Sequence, residues 1–255
     1  MVDDRSTDRS LDIAREFAAR DERILVYENK KNLGDYENRN RAALLASGKY
    51  IKYLDADDVI YPHSLEIMIE AMEESDAAAL ALSSNVIDPQ CPYPHEYTPA
   101  EVYKSHFLGS SLLGVGPSAA IIRRESFEAV GGFSGKQFVG DSELWLKLAG
   151  KWRIVTLPPA LVWWRQHEGQ QINLEQTRPE VLDIRYQMEK GFLESTDVMS
   201  DVDKLQGLRR LRQHHARRIL SIALRQGKFA VARMLFRRSG FSFAELLSGF
   251  GRYAN

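Results

Sequence analysis

Three carboxylates fall within four positions in Tyr50-Ile51-Lys52-Tyr53-Leu54-Asp55-Ala56-Asp57-Asp58, directly after a β-branched and aromatic run. Such a run reads as a strand, and Tyr61-Pro62 then opens a helical pattern. Carboxylates crowded at the C-terminal tip of a strand repel each other. They are tolerated where something positive sits among them, and a divalent cation is the usual source. In an open α/β sheet that tip is also where ligands bind, and a metal there commonly carries the phosphates of a nucleotide. The plainer reading is an acidic strand-to-helix turn with Asp58 as helix N-cap. The Asp-Ala-Asp-Asp segment alone leaves both open.

Further residues could share this chemistry. In Gly140-Asp141-Ser142-Glu143-Leu144-Trp145, two acids sit in the first turn of a helical pattern, where they suit the macrodipole. Taken alone, Asp141 is a helix cap. Partly buried and within reach of a hydroxyl, it could be a general base. His167 ends Trp164-Arg165-Gln166-His167 and is either a metal ligand or a surface-loop histidine. Arg39 suits a phosphate or a carboxylate, and a surface salt bridge explains it equally well. Trp163 and Trp164 read as core, with stacking on a sugar ring as the alternative.

The elements that must position these groups alternate. Leu11, Ile13, Ala14, Phe17 and Ala18 recur at helical spacing behind Ser6 or Asp8 as cap. A strand follows at Ile24 to Tyr27, a turn at Asn32-Leu33-Gly34, and a helix from Tyr36 to Ser47 that Gly48 would end. Tyr50 to Leu54 is a strand, Leu65 to Glu74 a helix, and Ala77 to Ser83 a strand. Residues 86–116 read as loop and short helix. Strand signals return at Ser118 to Arg123, Trp152 to Thr156 and Ala160 to Trp164, with helices at Ser126 to Val130 and Leu144 to Ala149. This alternation predicts an α/β fold with a mostly parallel sheet and crossover helices. From about Arg178 the pattern is wholly helical: Leu182 to Leu193, Asp201 to Gln226 and Lys228 to Arg238. The stretch Arg209 to Arg238 is rich in Arg. It reads as a helical hairpin that packs on itself and solvates a basic face, or as a basic amphipathic surface that sits on anionic lipid.

Composition narrows the classes. The chain has 255 residues, 44% hydrophobic and 27% charged, with a net charge of −1. No global field argues for nucleic acid or membrane. A single cysteine, Cys91, excludes an intramolecular disulfide and fits a reducing compartment. No apolar run approaches the ~20 residues that cross a bilayer, and the start shows no signal-peptide core. A cytoplasmic protein is expected, with peripheral contact at the cytoplasmic membrane face through the basic helices as the further option.

In order and spacing, these motifs together resemble the family 2 glycosyltransferases of GT-A fold. They are Val2-Asp3-Asp4, Asn32-Leu33-Gly34, Arg39-Asn40, Gly48-Lys49-Tyr50-Ile51, the acidic strand end, Gly131-Gly132-Phe133, Asp141 before Leu144-Trp145, and Trp164-Arg165-Gln166-His167. The resemblance covers about the first two thirds of the chain. It implies a Rossmann-like GT-A domain at 1–177, a helical extension at 178–255, and inverting, metal-dependent transfer from a nucleotide-diphosphate sugar. It implies Asp57 as ligand of Mn²⁺ or Mg²⁺ with His167 nearby, and Asp55 close to the ribose or a metal-bound water. Asp4 would read the nucleotide base, Asp3 would serve the ribose side or cap its turn, and Arg39 would pair with Asp4 or reach a phosphate. Asp141 would be the base, with Glu143 as runner-up. The acceptor would be a glycan, glycolipid or polysaccharide.

The chain also departs from that pattern. Val2-Asp3-Asp4 follows Met1 directly, where family members first have a strand and helix, roughly 30–40 residues. The domain thus reads as N-terminally shortened, as a truncated form, a mis-called start or a shortened relative. Arg5 stands where the family often has Gly, and Gly140 where it often has Glu. The transferase is the leading reading, and the departure at the start is what motivates the alternative, a non-catalytic remnant that lost donor binding with its first strand and acts as a binding or scaffold protein. A nucleotidyltransferase shares the acidic strand end but leaves Asp141 and Trp-Arg-Gln-His unexplained.

Overall fold

Ala78–Ser83 (β5) is buried along its whole length, and the sheet is built around it. The computed structural model describes residues 1–83, 91–167 and 178–251. Five strands lie in the order β3 (Tyr50–Ile51), β7 (Ala120–Arg123), β5, β8 (Arg153–Leu157) and β6 (His95–Tyr97). Leu80 and Leu82 face one side and Ala81 the other, as the twofold period of a strand requires, while an irregularity between Ala78 and Leu80 puts Ala78 on the side of Ala81. On the alanine side, Met68, Ala71 and Met72 of α3 (Ser64–Glu74) pack down with Ile121, Val155 and Leu157. The leucine side is covered by α4 (Pro99–Leu108) and α6 (Gly140–Ala149), with Trp145 fully enclosed.

The expected α/β layering is present, a sheet flanked by helices, but the strand directions differ from a mostly parallel sheet. β5 and β8 are parallel, as are β1 (Val2–Asp3) and β2 (Tyr27–Glu28). β7 runs antiparallel to β3 and β5, and β6 antiparallel to β8. β4 (Val59–Ile60) pairs antiparallel with β9 (Val162–Trp163). For the five-stranded sheet the difference arises in residues 86–116, read as loop and short helix, where the expected helix is α4 but the strand β6 precedes it. Adding one strand there changes the parity of the chain's passes across the sheet.

Two smaller expectations shift. Helix α2 (Asp35–Leu45) ends before Gly48, because Ala46 is already extended. Asp58 does not cap α3, whose N-cap is His63.

The helical part forms α7 (Pro179–Ser195), α8 (Asp201–Leu224), α9 (Phe229–Ser239) and α10 (Phe243–Leu247). Gly227 and Gly240 sit at φ +67°, where a side chain would be strained, and they close the two turns around α9. Tyr186, Ala216, Ile219, Ile222, Ala232 and Leu235 make a core of their own, so the hairpin does pack on itself. Met188 and Leu193 of α7 reach into the sheet-domain core. The expected boundary at 177/178 falls at the edge of the described residues.

Candidate active site

Helix α2 ties the site together, and the turn before it fixes the first carboxylate. Asp4 follows β1, and its Oδ1 accepts from the Leu33 amide at 2.8 Å and Asn29 Nδ2 at 2.6 Å. Its Oδ2 accepts from the Gly34 amide at 2.8 Å. Burial opposes ionisation of Asp4, but the Leu33, Asn29 and Gly34 donors outweigh it and hold the carboxyl below its ordinary value. A carboxylate offers about four lone-pair sites, so one on Oδ2 is left over after these bonds. Asp3 is buried, and its Oδ2 accepts from the amides of Arg5 and Ser6, closing its own turn. That turn holds Arg5 at φ +68°. The left-handed conformation explains why glycine suits this position in the family.

Arg39, one turn into α2, is largely covered. Its Nε donates to Asp35 at 2.7 Å, one Nη lies 2.7 Å from Asp55, and its guanidinium rests over the Tyr53 ring. Burial works against its charge, yet Asp55 and Asp35 prevail and raise its affinity for the proton. Of the partners considered for Arg39, Asp4 is not the one it meets: its carboxylate partners are Asp55 and Asp35. Ser118 Oγ accepts from the Asp55 amide at 3.0 Å and sets the strand-end backbone.

Sequence reasoning missed Lys52. Its ammonium is tucked under the same strand end and donates to the carbonyls of Tyr53 and Ser118. Burial lowers it to about 8, while Asp55 and Asp58 pull the other way. Part of the positive charge that the acidic strand end demands thus comes from the chain itself, through Lys52, Arg39 and Arg165. The signal was a lysine alternating with apolar residues in a buried strand.

Asp57 and His167 come together as expected. His167 Nε2 is 3.0 Å from Asp57 Oδ2. The β4–β9 pairing creates this meeting, because it carries 57–58 and 165–167 off adjacent strand ends. Arg165 secures it: its Nε donates to the Asp57 carbonyl at 2.9 Å, and its amide to Asp58 Oδ1 at 3.2 Å. Two ligand atoms held at about 2.1 Å by an octahedral cation, at right angles, stand about 3.0 Å apart. The spacing of Asp57 and His167 fits that requirement. Among the described residues, no group of three or more His, Cys, Asp or Glu converges. A phosphate-carrying cation needs only one or two protein ligands. Trp163 and Trp164 are not core: each is 45% exposed beside this site, with Arg165 over the Trp163 ring.

Asp141 lies in the first turn of α6, after the N-cap Val139. Burial raises its pKa against the Ser142 amide and Arg185 of α7, which both pull it down. Glu143 differs. Burial would raise it, but Lys136 at 2.7 Å and the Ser134 hydroxyl bring it below its ordinary value. A carboxylate committed to an ion pair is the poorer proton acceptor, so the geometry separates Asp141 from the runner-up. Helix α2 also holds this side of the site. Asn40 both donates to and accepts from the Phe133 backbone, at 2.8 and 3.0 Å. Tyr36 stacks on Phe133 and lies against Gly140.

This mixed α/β architecture, with a helix-braced acidic strand end, is of the glycosyltransferase A class. The Glycosyl transferase family 2 profile matches residues 1–131, half of the chain, and the chain belongs to that family. The match contains Asp3, Asp4, Arg39, Asp55 and Asp57, whereas Asp141 and His167 lie beyond it. An uncharacterized glycosyltransferase of Haemophilus influenzae is 25% identical over 182 residues, covering 67% of this chain and 56% of that protein. The chain thus spans about half of that curated relative's length. Among solved structures, S. aureus TarS 1–349 in complex with UDP-GlcNAc superimposes with a TM-score of 0.66 at 18% identity, over 93% of this chain and 71% of that one. The mannosyltransferase PcManGT of Pyrobaculum calidifontis, in complex with GDP-Man and Mn²⁺, gives 0.58 at 17% identity, over 98% and 68%. At these identities the likeness shows the fold.

Proposed function

We propose that the chain transfers a sugar, with inversion, from a nucleotide-diphosphate donor to a hydroxyl of a glycan, glycolipid or polysaccharide acceptor. The convergence of Asp57 and His167 at the acidic strand end carries this reading. Asp57 and His167 would hold a divalent cation, and that ion, when bound, supplies compensation for the charge that grows on the leaving diphosphate. The Mn²⁺ and GDP-Man named for the mannosyltransferase, and the UDP-GlcNAc named for TarS, support the choice of ion and donor class.

In this reading Asp4 accepts from the nucleotide base through its remaining lone pair, Asp55, held by Arg39, serves the ribose, and Asp3 maintains the turn that presents Asp4. Asp141 takes the proton from the acceptor hydroxyl as its oxygen attacks the anomeric carbon. The bond to the diphosphate oxygen breaks on the opposite face, which inverts the centre. Burial that raises the proton affinity of Asp141 suits it to this role. No helix among the described residues is long and apolar enough to cross a membrane.

The test is a nucleotide-release assay across donor sugars with Mn²⁺ present, on the wild-type chain, Asp57→Ala and Asp141→Asn. Release that both substitutions abolish supports the assignment. Donor binding without release in any combination would favour the non-catalytic reading.

A further inference from the structure

The charge of this chain is segregated. Ten Lys and Arg and no Asp or Glu lie between positions 205 and 244, although the whole chain carries a net charge of −1. The structure divides these cations into two sets. Arg212 pairs with Glu245, Arg238 with Asp183, and Arg210 and Arg217 donate to backbone carbonyls. Arg209, Arg218, Arg225, Lys228, Arg233 and Arg237 have no carboxylate partner among the described residues.

The turn between α8 and α9 is exposed without a break from Leu224 to Ala230. It presents Arg225 and Lys228 between two large apolar side chains, Leu224 at 62% and Phe229 at 65% exposure. Arg218 lies two turns before Arg225 on α8. Arg233 and Arg237 follow Phe229 at intervals of four residues, on the exposed stripe of α9. The opposite stripes, Ile219 and Ile222 on α8 and Ala232 and Leu235 on α9, are buried against each other. The hairpin is therefore held rigidly by its inner face while its outer face and tip carry cations flanking two exposed hydrophobic residues.

We infer that this hairpin tip docks the protein on an anionic lipid surface, with Leu224 and Phe229 entering the headgroup boundary and the free cations facing the lipid phosphates. Charge complementarity selects an anionic partner, and the exposed leucine and phenylalanine favour a bilayer over a purely polyanionic one. Nucleic acid would engage the cations and leave Leu224 and Phe229 in water. The inference goes beyond the proposed transfer reaction and does not depend on it.

The test is sedimentation of the full chain with vesicles of phosphatidylcholine alone or with about one third phosphatidylglycerol, at roughly 0.1 M and 1 M salt. Binding is expected only to the anionic vesicles and to weaken at high salt. A cation near such a surface is worth about fivefold in partitioning, so Arg225→Gln with Lys228→Gln should lose about 25-fold. Phe229→Ser should lose about tenfold without any change in charge. Both variants alter exposed positions, and circular dichroism checks that they fold as the wild type does. No binding to anionic vesicles would overturn the inference. So would binding that Phe229→Ser leaves intact, or a DNA duplex that binds at the same salt when vesicles do not. Because the readout is lipid binding, its failure is distinct from failure of nucleotide release.

Discussion

His167 Nε2 stands 3.0 Å from Asp57 Oδ2, although 110 positions separate the two in the chain. The contact exists because β4 and β9 pair and Arg165 clamps both strand ends. Asp57→Ala is expected to abolish Mn²⁺-dependent binding of a nucleoside diphosphate. His167→Ala should weaken it at least as much as the ~10–100-fold that follows loss of an outer-shell partner. Calorimetry with and without Mn²⁺ measures both. Unchanged affinity in Asp57→Ala would place the cation elsewhere.

Asp141→Asn should lower kcat by at least ~10²-fold while leaving donor binding nearly unchanged, since the amide keeps the shape but cannot take the proton. The pH profile adds a sign. Burial raises Asp141, so the acid limb of kcat/KM should lie above the ordinary carboxylate value of 3.8. Activity is then lost as pH falls through that raised value. Arg185 works against the burial, so Arg185→Gln should move the limb higher still. A limb that stays put, or moves down, would remove Arg185 from the electrostatics of the base.

The candidate residues were legible chiefly through the order of the motifs. A strand end makes acids at Asp55 and Asp57 costly and a helix start suits Asp141, yet each setting alone fits a plain turn or cap, and the resemblance to the family 2 glycosyltransferases is what singled them out. The misses are tertiary. The partner of Arg39 depends on how α2 crosses the end of β3, so nothing in the sequence distinguishes Asp4 from Asp55. Lys52 reads as the polar member of an alternating strand, and only packing shows its amine lodged under the Ser118 carbonyl. The short helix expected within 86–116 is α4, whose start is fixed by Thr98-Pro99-Ala100-Glu101, a full capping box with Pro in the first turn. The strand β6 just before it was not foreseen, because three residues among Pro and Tyr leave no alternation to read.

Asp4 should matter to folding as well as to binding. Its carboxylate accepts from two backbone amides and Asn29, so Asp4→Ala leaves several donors without their partner. A loss of about 1–3 kcal/mol is expected, measured by urea denaturation at neutral pH. Asp4 is depressed in the folded state. Its contribution is therefore complete above the unfolded value of about 3.8 and lost as pH falls through the lower folded value. Wild type and Asp4→Ala should converge in stability at the acid end. A constant gap down to that end would show that the carboxylate's charge is not what holds the turn.

The Tyr36 ring lies so close to Gly140 that a Cβ there would come within 2.8 Å of three of its carbon atoms. Tyr36 is itself buried and stacked on Phe133, so it has little room to yield. This explains why glycine precedes Asp141 where family 2 relatives often carry glutamate. Gly140→Ala should cost about 1–3 kcal/mol by overpacking, and Gly140→Glu at least as much. Turnover should fall with stability, because the residue displaced is the immediate neighbour of the base. Tyr36→Leu in the Gly140→Ala background opens the space and should recover part of both losses, whereas Tyr36→Phe keeps the ring and should recover neither. A double-mutant cycle by thermal denaturation and nucleotide release reads the coupling directly. Additive effects of Gly140→Ala and Tyr36→Leu would mean that the ring does not set the position of Asp141.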